Sequence, residues 1–397
     1  VKVEDQEKYY EEMMERLSPD NIKPALRDAY LTTLAVGWLA KGNLEKFQYY
    51  LKSNPEISYV TLLNLTYALE RPEHDSNYMT VVQQVSKQII DKLENDVNGD
   101  NMNGGRLQVL LELNAMANAR LGNVDVALKN MEKASSINGD RDINYFKDSK
   151  SNYYNRYAIV LSAAGQNQKA LDTLTHAVRN ADSNPKLIET LRDVYKKVHG
   201  SDSGLEQYIS SLKEEAYNKY YKEVEKLYIP DTKLPMKGYM SSPDDKRKKM
   251  TLFTANEHIY NISLPDPDDR MIKFSDYKDK IIVVDFWSTL CTPCVAAFAG
   301  FERMVAEYKN DPFQLFVINL FEDQETVNSF IAKKGITLDV LMDQPNEKYN
   351  IQGTPTKIVF DTKGNIRFYS VGYAGSTDRE YYKLKAMVEI VKSRTKD

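Results

Sequence analysis

The chain has 397 residues, 42% apolar and 28% charged, an ordinary globular composition that excludes wholesale disorder. At roughly 150 residues per domain it holds two or three domains. Its 53 basic and 57 acidic residues leave a net charge of -4, which argues against a nucleic-acid binder, and no apolar run approaches the ~20 residues of a membrane helix.

The chain opens at Val1 with neither Met nor an apolar leader, which leaves a removed targeting segment open. Cys291 and Cys294 are its 2 cysteines. A disulfide-stapled scaffold and a four-cysteine zinc site are therefore excluded. The 4 histidines, His74, His176, His199 and His258, lie far apart in sequence, so no metal site is expected.

Residues 1–228 read as helix, with helical apolar periodicity and no strand-like alternation. Two segments, 111–138 and 153–181, align on each other. Gly122 falls on Gly165, Ala127 on Ala170 and Ala134 on Ala177. In each, a helix ends at the glycine, and small residues let the next helix approach closely. This pattern resembles the tetratricopeptide repeat, with long loops. A weaker copy lies at 24–54, with Gly42 at the turn and Phe47 where alanine is expected. The resemblance implies an all-α helical repeat domain that positions a partner protein. The paired tyrosines Tyr49–Tyr50, Tyr153–Tyr154 and Tyr220–Tyr221 are read as helix packing rather than a peptide groove.

Residues 229–250 carry prolines and a charge run and read as a linker. Beyond it strand and helix alternate. Residues 253–264 read as strand, KIIVVDFW (280–287) as a buried strand, 292–309 as helix and FQLFVINL (313–320) as another buried strand. A helix is expected at 324–335, a hairpin at 356–361 and 366–373, and a last amphipathic helix at 377–395. The alternation predicts an α/β domain over 251–397.

Cys291-Thr292-Pro293-Cys294 follows a buried strand and opens a helix. Helix-start N–H groups and the dipole favour an anion, so the Cys291 thiol is expected to be acidic and to attack. Pro293 suits the first helical turn. Cys294 is within reach to resolve a mixed disulfide.

VVDFWSTLCTPC resembles the active-site segment of thioredoxins, and IQGTPTKIVFDTKG (351–364) resembles that family's second signature. The interval from Cys294 to Pro355 and the FSDYKDKIIVVDFW entry are similar to the envelope thiol–disulfide oxidoreductases and redoxins. The resemblance implies a thioredoxin-like fold. Asp285 would be the buried acid that takes a proton from Cys294. Trp287 would pack beside the site, and Thr354–Pro355 would be a cis bond presenting backbone to an extended substrate. Leu290 stands where thioredoxins have a second Trp, and Ala297 and Ala299 where the envelope subgroup has Glu and Pro, leaving Asp285 as the evident acid. Ser288 and Val284 stand where peroxiredoxins have Thr and Pro, which disfavours peroxidase chemistry.

The expected activity is thiol–disulfide exchange with protein disulfides or dithiols, with no cofactor, no metal and no nucleic acid. The substrate contacts are expected at Trp287, Thr354, Pro355 and Pro293. The rival reading is a partner-binding scaffold, or a redox-switched interaction protein, with a weakly active redoxin domain. The resemblance implies a periplasmic or envelope location and leaves open a membrane tether upstream of Val1.

Overall fold

The computed structural model describes residues 2–17, 24–53, 59–70, 76–95, 104–137, 147–242, 244–245 and 247–395. Contacts divide the chain into two units. One comprises Val1–Asp142, Tyr153–Leu174 and Thr190–Ser201. The other comprises Ile143–Asn152, Thr175–Glu189 and Asp202–Asp397. The second unit thus takes in three pieces of the helical region, 143–152, 175–189 and 202–228.

The helices run α1 (Val3–Arg16), α2 (Pro24–Ala40), α3 (Leu44–Lys52), α4 (Tyr59–Leu69), α5 (Ser76–Asn95), α6 (Gly104–Arg120), α7 (Val124–Ser136), α8 (Ser149–Ala163), α9 (Asn167–Arg179), α10 (Pro185–His199) and α11 (Leu205–Glu225). The aligned glycines do the same work at three turns. Gly42, Gly122 and Gly165 have φ of 74°, 83° and 76°, the left-handed region glycine enters at least cost. Gly122 N donates to Ala119 O and Asn123 N to Asn118 O; Gly165 N and Gln166 N repeat the pattern. Those bonds satisfy carbonyls the helix end would leave unpaired. Ala127, Ala134, Ala170 and Ala177 are fully buried.

Among the described residues of the first unit, Arg156 and Glu7 are buried charges held by partners. Arg156 reaches Glu112 at 3.0 Å and also pairs with Glu70. Glu7 accepts from Trp38 Nε1 at 3.1 Å and Tyr50 Oη at 2.7 Å. Such groups are retained in a core because their hydrogen bonds offset desolvation.

In the second unit the strands are β1 (Met236–Ser241), β2 (Lys249–Ala255), β3 (Ser263–Pro265), β4 (Met271–Lys273), β5 (Ile281–Trp287), β6 (Phe313–Leu320), β7 (Asp339–Asp343), β8 (Thr356–Phe360) and β9 (Ile366–Val371). The helices are α12 (Thr292–Glu307), α13 (Gln324–Lys334) and α14 (Thr377–Thr395). The five-stranded sheet has the order β7-β6-β5-β8-β9. β5, β6 and β7 are parallel, joined through α12 and α13, while β8 pairs antiparallel with β5, and β9 antiparallel with β8. All seven residues of central β5 are buried, which explains its unbroken apolar run.

Strand alternation sends β5 side chains to two cores. Ile281, Val283 and Trp287 face a core with Cys294, Phe298 and Phe301 of α12 and with Leu384 and Val388 of α14. Ile282, Val284 and Phe286 face Leu252, Phe253, Ile262 and Phe274. An α-helical region followed by a thioredoxin-like α/β domain is the architecture the sequence implies.

Two details differ from the sequence reading. β1 lies inside the segment read as linker and pairs with β2 as an antiparallel hairpin; Pro230 and Pro235 precede it. The strand read at 253–264 is interrupted by a short 3₁₀ turn, Ile259–Asn261. His258 caps that turn, its side chain accepting from Tyr260 N.

Candidate active site

The site is built where β5 ends and α12 begins. Cys291 is the N-cap of α12, and Pro293 lies in its first turn, where a missing N–H costs nothing. Cys291 and Cys294 form a disulfide, with Cα atoms 5.2 Å apart. Their environments differ. Cys294 is fully buried, while Cys291 is partly exposed. Leu290, just before it, is 89% exposed.

A cleft of about 520 Å³ opens at Cys291. Ser288, Leu290, Thr292 and Pro293 line it together with Thr354, Pro355, Gly372 and Tyr373. The Thr354–Pro355 bond is cis. Gly372 N donates to Pro355 O at 2.9 Å, which joins the start of the segment after β9 to the proline loop. The structure thus brings Cys291, Pro293, Thr354 and Pro355 to one cleft.

Trp287 and Asp285 are elsewhere. Trp287 is fully buried, with its ring edge-on to Phe298 at 5.2 Å and near Phe330 at 5.8 Å. It is not among the residues that line the cleft, and its ring packs beneath α12. Asp285 is also fully buried. By the two-residue alternation of β5 it shares the face of Val283 and Trp287, which is the face of Cys294.

Across the β5–β8 ladder Asp285 stands opposite Lys357. Lys357 Nζ is 3.7 Å from Asp285 Oδ1, an ion pair too long for a hydrogen bond. Neither Asp285 oxygen has a hydrogen-bond partner among the described residues. Lys357 bonds instead to Glu380 of α14 and lies 4.5 Å over the Phe301 ring. Glu380 also accepts from Ala374 N at 2.9 Å. All three charged groups are buried.

Burial pushes the Asp285 carboxyl up to about 7; the Lys357 ammonium opposes that rise and the Glu380 carboxylate adds to it. Burial alone would lower Lys357, but the carboxylates of Glu380 and Asp285 raise it. Burial works against the Glu380 carboxylate too, yet Lys357 holds it below the usual range. One ammonium is thus shared by two carboxylates, and the more weakly bonded of them, Asp285, is the one able to carry a proton near neutrality.

Lys357 and Glu380 escaped the sequence reading, although each leaves a trace. Lys357 is a lone cation in an otherwise uncharged buried strand. Glu380 sits on the apolar stripe that continues through Leu384, Met387 and Val391. Glu322 was also missed. It accepts from Thr289 N and Asn319 Nδ2, each at 2.7 Å, and from the Thr289 hydroxyl. It thereby ties the turn before Cys291 to the end of β6. Thr289→Ala removes the hydroxyl donor, and urea unfolding is expected to show a loss of about 1 kcal/mol. An unchanged midpoint would mean that the turn is held without it.

Among the described residues, no group of three or more His, Cys, Asp or Glu is placed to hold a metal ion, and no helix is long and apolar enough to cross a membrane.

Residues 255–369 match the AhpC/TSA family. A segment of 119 residues is 27% identical to the thiol-disulfide oxidoreductase ResA of Halalkalibacterium halodurans, covering 29% of this chain and 68% of that protein. ResA of Bacillus subtilis is 26% identical over 109 residues, covering 27% of this chain and 61% of that protein. The Bacillus subtilis thioredoxin-like protein YneN is 29% identical over 130 residues, covering 32% of this chain and 76% of that protein. A solved structure, a putative thiol:disulfide interchange protein DsbE from Chlorobium tepidum, is 26% identical at a TM-score of 0.30, covering 34% of this chain and 99% of that one. The chain spans 68% and 61% of the length of the two ResA proteins. Residues 255–369 thus match the AhpC/TSA family model and are similar to thiol–disulfide oxidoreductases, and an α-helical region precedes them.

Proposed function

We propose that the Cys291–Cys294 pair exchanges with disulfides or dithiols of other proteins. The observation that carries this is the placing of a partly exposed Cys291 at the start of α12, inside a cleft shared with Thr354 and Pro355. In the reducing direction the Cys291 thiolate attacks a substrate disulfide. A mixed disulfide forms and one substrate thiolate leaves. Cys294, deprotonated by Asp285, then attacks the Cys291 sulfur. The second substrate thiolate departs and the Cys291–Cys294 disulfide is restored. Thr354 presents peptide groups to an extended substrate segment, and Pro293 and Pro355 flank it. Exchange between thiols and disulfides needs no cofactor.

The helical region, read as degenerate tetratricopeptide-like hairpins, would position a partner protein. An envelope location fits a chain whose 2 cysteines pair with each other, because no further thiol can mispair in an oxidising compartment.

The test is the reduction potential of the pair, measured by equilibration in glutathione buffers with alkylation of free thiols. A value near the ~-270 mV of thioredoxin assigns a reductant, and one near ~-120 mV assigns a disulfide donor. A folded protein whose pair neither equilibrates nor reacts would overturn the proposal.

A further inference from the structure

The first turn of α14 carries Glu380, and that turn is gripped by residues of the helical region that belong to the same unit. Asp148 accepts from Thr377 N at 2.5 Å and from Thr377 Oγ1 at 3.0 Å. Ser376 caps the helix, its hydroxyl accepting from Arg379 N at 3.0 Å and donating to Ala181 O at 2.6 Å. Ser183 donates to Asp378, and Arg379 reaches Asp182 at 2.6 Å. Asp378 also bonds Arg303 of α12 at 2.7 Å.

Two features constrain this socket. Asp148 and Ala181 have φ of 58° and 57°, in the left-handed region that aspartate tolerates but that is costly for alanine. On the opposite side, Gly300 of α12 leaves no room to spare. A Cβ there would lie 3.0 Å from Glu380 Cβ and 3.1 Å from Tyr381 N. The turn is therefore fixed from two sides. It connects directly to the site, since Ala374 N bonds Glu380 and the adjacent Gly372 and Tyr373 line the cleft.

We propose that Asp148, Asp182 and Ser183, borne by the helical region, are positioning residues of the redox centre: they set the first turn of α14 and so place Glu380 against Lys357. The proposal rests on the thiol–disulfide reading above. It gives part of the helical region a task inside the redox centre, separate from any partner it binds. When the turn is released, Glu380 withdraws and the Lys357 ammonium pairs with Asp285 alone. Asp285 then ionises at lower pH. The charged groups that bear on it are Lys357 from β8 and Glu380 from α14, with Lys383, one turn along α14, adding a cation near that pair.

The test uses the full chain with Asp148→Ala, Asp182→Ala and the milder Ser183→Ala and Asp148→Asn. The titration of Asp285 is followed by its carboxyl ¹³C shift, assigned through Asp285→Asn. The pH profile of insulin-disulfide reduction with dithiothreitol is measured beside it. Asp148→Ala is expected to lower the midpoint of that titration by about one pH unit, tenfold in the ionisation ratio. Asp148→Asn keeps an acceptor for Thr377 and is expected to restore part of it. A purely structural socket would lower the unfolding midpoint and leave the titration unmoved. That result in the folded variants overturns the proposal. If the alanine variants fail to fold, Ser183→Ala and Asp148→Asn decide it by the same titration. Absence of exchange in the unaltered chain would instead overturn the functional reading, and the carboxyl titration still decides the role of the socket.

Discussion

Cys291→Ser is expected to abolish disulfide exchange, with turnover falling at least about 10³-fold, whereas Cys294→Ser is expected to accumulate a stable mixed disulfide with substrate. The asymmetry follows from placement. Cys291 is partly exposed at the cleft, so a substrate sulfur can reach it; Cys294 is fully buried and can attack only a partner delivered to Cys291. The helix start also favours negative charge on the N-cap sulfur. Non-reducing electrophoresis after mixing with an oxidised protein substrate reads both variants at once. A mixed disulfide in Cys291→Ser and none in Cys294→Ser would reverse the two roles. Equal turnover in both variants and the unaltered protein would place the activity outside this pair.

The features that predicted this centre are local ones. A buried strand, a short turn, two cysteines opening a helix and a Thr-Pro pair before another buried strand each leave a mark within a dozen residues. β5, α12, β6, α13, β8, β9 and α14 were all legible by period and punctuation. β1 was not, because its alternation sits among prolines and a charge run, and β7 was not, because it is a short strand, Asp339–Asp343, at the edge of the sheet. The charge network beneath the disulfide was illegible for a different reason. Lys357 meets Asp285 through ladder register, and Glu380 arrives on a helix from the far end of the domain. The Asp148–Thr377 contact spans 229 positions in the chain. No periodicity encodes such a meeting; it exists only once the sheet and α14 have packed. Trp287 shows the converse. The resemblance implied a ring packed beside the site and offered to substrate; strand alternation turns that ring into the core.

Asp285→Asn tests the acid at the centre, and its stability effect has a definite sign with pH. The folded protein holds the Asp285 carboxyl up at about 7, against roughly 4 in the unfolded chain. The folded state therefore binds the extra proton between those values. Its contribution to stability is fully present below about pH 4 and is lost as pH rises through about 7. The loss amounts to about three units at 1.36 kcal/mol each, on the order of 4 kcal/mol, and it is flat above pH 7. Asparagine is neutral throughout and keeps the shape of the protonated acid. The oxidised Asp285→Asn protein should thus gain on the unaltered one from pH 4 to 7, as read by urea midpoints, with no further gain beyond. The oxidised form is the one to compare, because its sulfurs do not titrate. Two parallel stability curves would show that Asp285 is ionised in both states. The same substitution should slow the release of mixed disulfide by about 10²-fold while leaving the initial attack by Cys291 nearly intact, because only the Cys294 step needs a base behind it. The more stable variant is then the poorer catalyst: the buried carboxylate costs the fold stability at neutral pH, and that same burial is what keeps its proton within exchange range of a thiol.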